Sequence, residues 1–294
     1  EDAGVHSGDA TLVLPPQRLY VETIRRARAI ARRLARELKV TGPMNIQLLS
    51  RHNEVKVIEL NLRASRSFPF VSKVLGVNFI EVATRALLGE DIGALPAVDP
   101  LDLDFAAVKA PQFSFGRLAG ADPLRGVEMA STGEVACFGR NADEALLLAM
   151  LASGVPAPVK GVLLSLGPVG DKYRFAEEAR GLVRSGLKLY GTPGTAKLLQ
   201  KESILCEAVA TEGRGDGSAL ALLERGAVDM VINIPRFFDA QGRPDGYHIR
   251  RRAIDLGIPL LTDLWLARRF VYAFLRYSRE ELQVRPWRSF LRGE

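Results

Sequence analysis

Apolar positions follow two rhythms along this chain. Ile24, Ala27, Ala31, Leu34, Ala35 and Leu38 recur at helical spacing. That pattern predicts an amphipathic helix from Pro15-Pro16 to about Lys39 with its apolar stripe turned inward. Residues 11–14 read as a short strand, and Asn45–Ser50 and Val55–Asn61 as two strands around the turn Arg51-His52-Asn53. A helix is expected over Val77–Leu88, strands over Phe105–Lys109 and Glu134–Phe138, and a helix over Ala142–Ala152. Pro156 and Pro158 mark a linker.

After the linker, short apolar runs alternate with helical patterns. Strands are expected at Gly161–Leu166, Leu187–Tyr190, Glu207–Thr211, Val228–Ile232 and Pro259–Leu261. Helices are expected at Asp171–Ser185, Pro193–Lys201, Ser218–Arg225, Ile249–Leu256 and Leu264–Tyr277. This alternation predicts an α/β domain, a doubly wound parallel sheet covered on both faces. The tail from Ser278 reads as polar and loosely held.

At 294 residues the chain has room for two domains, here 1–154 and 155–294. The net charge of +6 owes much to Arg25, Arg26, Arg28, Arg32, Arg33 and Arg36. These form the solvated face of the first helix, and no aromatic residues interleave to stack on bases, so no nucleic-acid partner is expected. No apolar run approaches the roughly 18 residues of a membrane helix, so no membrane partner is expected either. No signal peptide is visible, although residue 1 is Glu and an upstream segment is left open. Cys137 and Cys206 are isolated, which suits a reducing, cytoplasmic setting. His6, His52 and His248 are too scattered for a histidine zinc site.

Chemistry concentrates in two places. Gln47 lies on one strand and Glu59 and Asn61 on the next, where alternation puts residues 59 and 61 on one face. Leu60 and Leu62 then point the other way, into a core. One carboxylate and two amide oxygens suit a hard divalent cation, which typically bridges protein oxygens to phosphates. Arg63 and Arg66 follow on the exiting loop, and their planar forks suit phosphate or carboxylate. A polar surface strand with a solvated Arg turn would have the same spacing.

The second place is Gly191-Thr192-Pro193-Gly194-Thr195, between a strand and a helix. Thr192 can cap the helix, Pro193 suits its first turn, and the free N–H groups there make an anion site. Lys172 and Asn233 belong to the same edge of the sheet, where open parallel sheets bind ligands.

The run GPMNIQLLSRHNEVKVIELNLRASRSFPFVSKVLGV, with AGVHSGDA before it and EMASTGEVACFG after it, resembles the carbamoyl phosphate synthetase large subunit. The likeness covers roughly residues 1–154 and is to the end of the second ATP-grasp domain, an α+β unit that phosphorylates carbamate. The resemblance implies ATP with Mg2+ or Mn2+ held by Gln47, Glu59 and Asn61, and Arg63 and Arg66 as catalytic residues facing phosphate or carbamate. It implies that Val5, His6 and Ser7 line the nucleotide site together with Gln47 and Glu59. The family's glycine-bearing phosphate lid and its bicarbonate-phosphorylating half are not in these residues, so the segment looks like half an active site. The implied partners are the remainder of the large subunit and a glutamine amidotransferase subunit or domain. Where ornithine-activated members carry Glu, this chain has Ala110, so ornithine activation is not expected.

Residues 155–280 resemble the methylglyoxal-synthase-like regulatory domain of the same subunit, through GTPGTA, VDMVINIP and YHIRRRAIDLGIPLLTD. Lys172, Thr192, Thr195 and Asn233 carry over as contacts to a small anionic effector. Two positions depart from the pattern. No Lys occurs at residues 208–213, although Arg214 lies close by, and Pro235 replaces a Thr. No Trp lies between Thr195 and Asn233, unlike N-acetylglutamate-regulated members. After VINIP the chain reads RFFDAQGRPDG, with Asp239 and Asp245 but no Gly-Gly-Asp, so methylglyoxal synthase activity is not expected. A separate regulatory subunit, or a binding module with incomplete catalytic residues, is the alternative.

Overall fold

A computed structural model describes the chain apart from residues 2, 97, 212–214, 216, 236–245 and 293–294. The described residues form two compact units that interleave along the sequence. One, the hairpin unit, comprises Leu12–Lys109, Ala136–Ala145 and Val284–Glu294. The other, the sheet unit, comprises Glu1–Thr11, Ala110–Val135 and Leu146–Gln283.

The hairpin unit begins with β1 (Leu12–Leu14) and α1 (Val21–Glu37). The helix starts five residues after Pro16, later than the two prolines suggest, with Tyr20 at its N-cap. Arg25, Arg32, Arg33 and Arg36 lie in solvent as expected, but Leu38 at the frayed end is also exposed. Next come β2 (Asn45–Arg51) and β3 (Glu54–Asn61), an antiparallel hairpin. Its two-residue turn is His52-Asn53, both with positive φ, the conformation that matches the twist of paired strands. Thr23 Oγ1 donates to Asn53 Oδ1 at 2.6 Å, and Arg26 Nη1 donates to Asn53 O at 2.9 Å, so the turn is pinned to α1.

The helix expected over 77–88 is α3 (Phe79–Leu87), capped by Asn78, and it is preceded by α2 (Phe68–Leu75), which the pattern did not reveal. Pro69 sits in the first turn of α2, where proline is tolerated. Strands β4 (Ala106–Phe113) and β5 (Ser131–Gly139) complete a sheet of order β1-β4-β5, and α4 (Ala142–Ala152) follows.

Among the described residues the sheet unit carries five parallel strands in the order β10-β9-β6-β7-β8. They are β6 (Gly161–Leu166), β7 (Lys188–Gly191), β8 (Glu207–Ala208), β9 (Met230–Ile234) and β10 (Leu260–Leu261). The helices are α5 (Val169–Arg174), α6 (Ala176–Arg184), α7 (Pro193–Lys201), α8 (Ala219–Glu224), α9 (Tyr247–Asp255) and α10 (Leu264–Arg276). The single helix expected over 171–185 is two, meeting at the fully buried Phe175. Leu163, Tyr190 and Val231 pack with Leu222, Leu223, Ile249 and Ala253, while Val162, Leu164, Met230 and Ile232 of opposite strand parity are also buried. Continuous apolar strands of this kind are those of a parallel sheet covered on both faces. The fold is the expected doubly wound α/β one, and the chain reverses direction of winding between the adjacent strands β6 and β9.

The tail is not loosely held. Residues Trp287–Arg292 form α11 in the hairpin unit, where Trp287 and Phe290 pack on a core of Phe70, Val74, Phe105, Ala107 and Phe138. Two aromatic side chains three positions apart form one apolar stripe, which the surrounding arginines hide from a composition-based reading.

Candidate functional site

In the hairpin unit, Gln47 and Glu59 are direct cross-strand partners, and Asn45 pairs with Asn61. Residues opposite each other in a ladder share a face, so the carboxamide of residue 47 and the carboxylate of residue 59 are neighbours. The register then shifts, since Leu48 pairs with Val57, and Ile58 becomes the extra residue of a bulge. Asn61 Nδ2 donates to Glu59 Oε1 at 3.1 Å. Glu59 is exposed, and Gln47 and Asn61 are half-buried. Asn45 Nδ2 donates to Ser65 Oγ at 3.2 Å, which ties the loop carrying Arg63 and Arg66 to the start of β2. Arg63 is exposed, with Nη1 donating to Ala64 O at 3.3 Å, and Arg66 is half-buried.

Leu62 does not enter a core. It is 62% exposed, and Leu49, Val57 and Ile58 are exposed with it. The reason is topological: among the described residues β2 and β3 form a two-stranded sheet, and two strands cannot bury both their faces. The donor set is one carboxylate with amide oxygens. Among the described residues no group of three His, Cys, Asp or Glu side chains could hold a metal. Such a set fits magnesium or manganese only where phosphate oxygens complete the shell.

Val5, His6 and Ser7 belong to the sheet unit. His6 N donates to Gly126 O at 2.7 Å, and His6 Nδ1 accepts from Gly8 N at 3.0 Å. Asp9 is fully buried and accepts from Ala130 N at 2.8 Å and Ser131 N at 3.0 Å. Burial pushes its carboxyl up, but the Ser131 and Ala130 donors outweigh that and hold it below the ordinary carboxylate range. Glu1 accepts from Arg125 Nη1 at 2.5 Å and from Thr11 N at 3.0 Å.

At the C-terminal edge of the parallel sheet, Lys172, Thr192, Thr195 and Asn233 are all buried. Lys172 is in α5, directly after β6, and Asn233 is in the neighbouring β9. A Cβ on Gly194 would come within 3.2 Å of Lys172 Nζ, so glycine leaves room for the ammonium over the start of α7. Thr192 occupies the N-cap position, but its hydroxyl makes no cap bond; it donates instead to Thr195 Oγ1 at 3.3 Å. Thr195 Oγ1 in turn accepts from Leu166 N at 3.0 Å and donates to Leu166 O at 3.3 Å, fastening α7 to the end of β6. Asn233 Oδ1 accepts from Arg250 Nη1 at 2.7 Å, while its Nδ2 is buried with no partner among the described residues. Gly246 packs on this amide: its φ is +78°, and a Cβ there would lie 2.4 Å from Asn233 Nδ2. Arg214, Asp239 and Asp245 lie outside the described residues.

Three residues here escaped the pattern: Asp122, Arg250 and Arg251. Arg250 is wholly buried and grips Asp122 through Nε to Oδ1 at 2.8 Å and Nη2 to Oδ2 at 2.6 Å. Arg251 Nη1 points at the carbonyls of Phe115, Leu118 and Ala121, at 3.0–3.2 Å. Nothing in the sequence pattern marked Arg250 and Arg251 for burial, and only the flanking apolar positions Ile249 and Ala253 hinted at their orientation.

Two family models match parts of this chain. Residues 2–95 match a family described as the carbamoyl-phosphate synthase L chain, ATP binding domain. Residues 174–262 match the MGS-like domain. The chain is 46% identical over 285 residues, 94% of its length, to multifunctional protein ura1 of Schizosaccharomyces pombe. It is 44% identical over 282 residues, 93% of its length, to human carbamoyl-phosphate synthase [ammonia], mitochondrial. It spans 13% of the first relative and 19% of the second. A methylglyoxal synthase from Elizabethkingia anophelis NUHP1 aligns over 46% of this chain and 95% of its own, at 15% identity and a TM-score of 0.32.

Proposed function

Because the chain belongs to the carbamoyl-phosphate synthase large-chain family, we propose that it supplies part of the site that phosphorylates carbamate, with an effector-binding domain behind it. In this reading residues 1–154 are the partial ATP-grasp domain and residues 155–294 the regulatory one. The observation that carries the catalytic half is the cross-strand pair Gln47–Glu59, with Asn61 hydrogen-bonded beside it, inside the segment that matches an ATP-binding domain. Glu59, Gln47 and Asn61 would hold Mg2+ or Mn2+. That cation would neutralise charge on the transferring phosphoryl group. Arg63 and Arg66 would orient phosphate or carbamate, and Val5, His6 and Ser7 would line the nucleotide. The exposed apolar hairpin face favours completion by further polypeptide, the remainder of the large subunit. A glutamine amidotransferase subunit or domain would supply ammonia, and the setting would be cytoplasmic. Among the described residues no helix is long and apolar enough to cross a membrane.

The regulatory half rests on the buried Nδ2 of Asn233, without a partner among the described residues, at the strand edge that also carries Lys172 and the Thr192–Thr195 turn. A buried donor without a partner costs free energy that an anionic ligand would recover. The purified chain, assayed with bicarbonate, ATP and either glutamine or ammonia, is expected to make no carbamoyl phosphate. Product above a Glu59→Ala control would show that the segment is a complete catalyst and overturn the partial-site reading.

A further inference from the structure

The hydrogen bonds around Arg250 join the effector edge to the nucleotide-lining segment within a single compact unit. From Asn233 Oδ1 the path runs to Arg250 Nη1, and from the other side of the same guanidinium to both oxygens of Asp122. Four residues along the chain, Gly126 O accepts from His6 N, while Arg125 Nη1 donates to Glu1 Oε1 and to Asp9 O at 3.3 Å. Asp9 then holds the amides of Ala130 and Ser131. The loop at 115–126 is therefore gripped at both ends. Helix α9 holds its first half through Arg251, Tyr247 and Arg250, and segment 1–9 holds its second half.

We propose that Arg250 is a positioning residue that couples the two sites: what happens at Asn233 sets the geometry of loop 120–126 and, through it, of Val5-His6-Ser7. The physical warrant is that a planar guanidinium has a fixed fork. Arg250 cannot rotate to follow the Asn233 amide without disturbing its two-point grip on Asp122. Burial removes the alternative of exchanging either partner for water. A ligand that takes up Asn233 Nδ2 turns or anchors that amide, whose oxygen is held, among the described residues, by Arg250. The functional meaning of the relay rests on the effector and nucleotide assignments above; its existence as a mechanical connection does not.

The test is amide hydrogen exchange on the 294-residue chain. Asn233→Ala removes one partner of Arg250, while Asn233→Asp keeps an acceptor oxygen in the same place. Loosening one charged hydrogen bond is expected to speed exchange about tenfold at His6, Ala130 and Ser131 in Asn233→Ala, with little change in Asn233→Asp. Amides of Leu189 and Leu222 in the same unit serve as the control for general destabilisation. Should Asn233→Ala fail to fold, Asp122→Asn carries the same test, with the same three amides as reporters. If the three amides keep wild-type rates, or change only in step with the control, the relay is wrong. Calorimetry with UMP as probe is run in parallel on wild type. Absence of binding with the relay signal intact would refute UMP as an effector and leave the coupling standing. Binding of UMP without any change at the three amides, in a chain where Asn233→Ala also leaves them unchanged, would overturn the coupling alone.

Discussion

Gln47 and Glu59 face each other across the β2–β3 ladder, one residue before the register slips at a bulge. That pairing puts an amide and a carboxylate side by side at the end of the hairpin from which Arg63 and Arg66 depart. If this is a cation site, Glu59→Ala in the complete synthetase should abolish carbamate phosphorylation and the reverse formation of ATP from carbamoyl phosphate. The loss should be several kcal/mol of transition-state stabilisation. Bicarbonate-dependent ATP hydrolysis should persist, and equal loss of both reactions in a folded variant would place Glu59 outside the carbamate step.

The charge of Lys172 sits over the first turn of α7. Lys172→Ala should therefore weaken binding of an anionic effector about tenfold or more. A calorimetric panel of UMP, UTP, IMP and N-acetylglutamate on the chain reads this directly. No binding of any of the four to wild type at millimolar concentration would leave the domain without an effector role for this panel.

Phe290 lies against Phe105 and Phe138, with ring centroids 5.7 Å from each. Phe290→Ala should lower the stability of the hairpin unit by about 2 kcal/mol, through lost burial and the cavity left behind. Urea unfolding followed by the fluorescence of Trp287 in a Trp265→Phe background, compared with and without Phe290→Ala, tests this. An unchanged midpoint would mean that the tail helix contributes nothing.

Asp9 has a folded pKa below its unfolded value, because two amides and Ser131 stabilise the charged form. Its contribution is therefore fully present above the ordinary carboxylate pKa, about 3.9, and is lost as pH falls through the lower folded value. Wild-type stability should decline on acidification below about pH 4 more steeply than that of Asp9→Asn. Parallel acid profiles for the two proteins would contradict the assignment.

Burial pushes the Cys206 thiol up to about 12, with Glu207 adding to the shift, and burial also raises Cys137. Only the thiolate attacks alkylating agents. Iodoacetamide at neutral pH should label neither cysteine in the folded chain and both after denaturation, as mass spectrometry would show. Rapid labelling of the native protein would contradict this.

The periodicity of the sequence was enough for the parallel sheet, because buried central strands are continuous apolar runs and each βα turn carries its own Gly, Pro and cap signals. Helices Ala142–Ala152 and Pro193–Lys201 and strand Gly161–Leu166 fall where the pattern puts them. The grouping of Gln47, Glu59 and Asn61 was equally legible, since strand alternation is local and a two-residue turn leaves little freedom in register. The same local reasoning misplaced Leu62, because whether a strand face is covered depends on how many strands the sheet has. It also missed the tail helix, whose partners Phe105 and Phe138 are more than 140 residues away in sequence. Arg250 is the clearest case. By composition it belongs in solvent, yet the tertiary fold brings Asp122 and Asn233 to either side of it, and a buried guanidinium with both partners in place is stable where one without them is not.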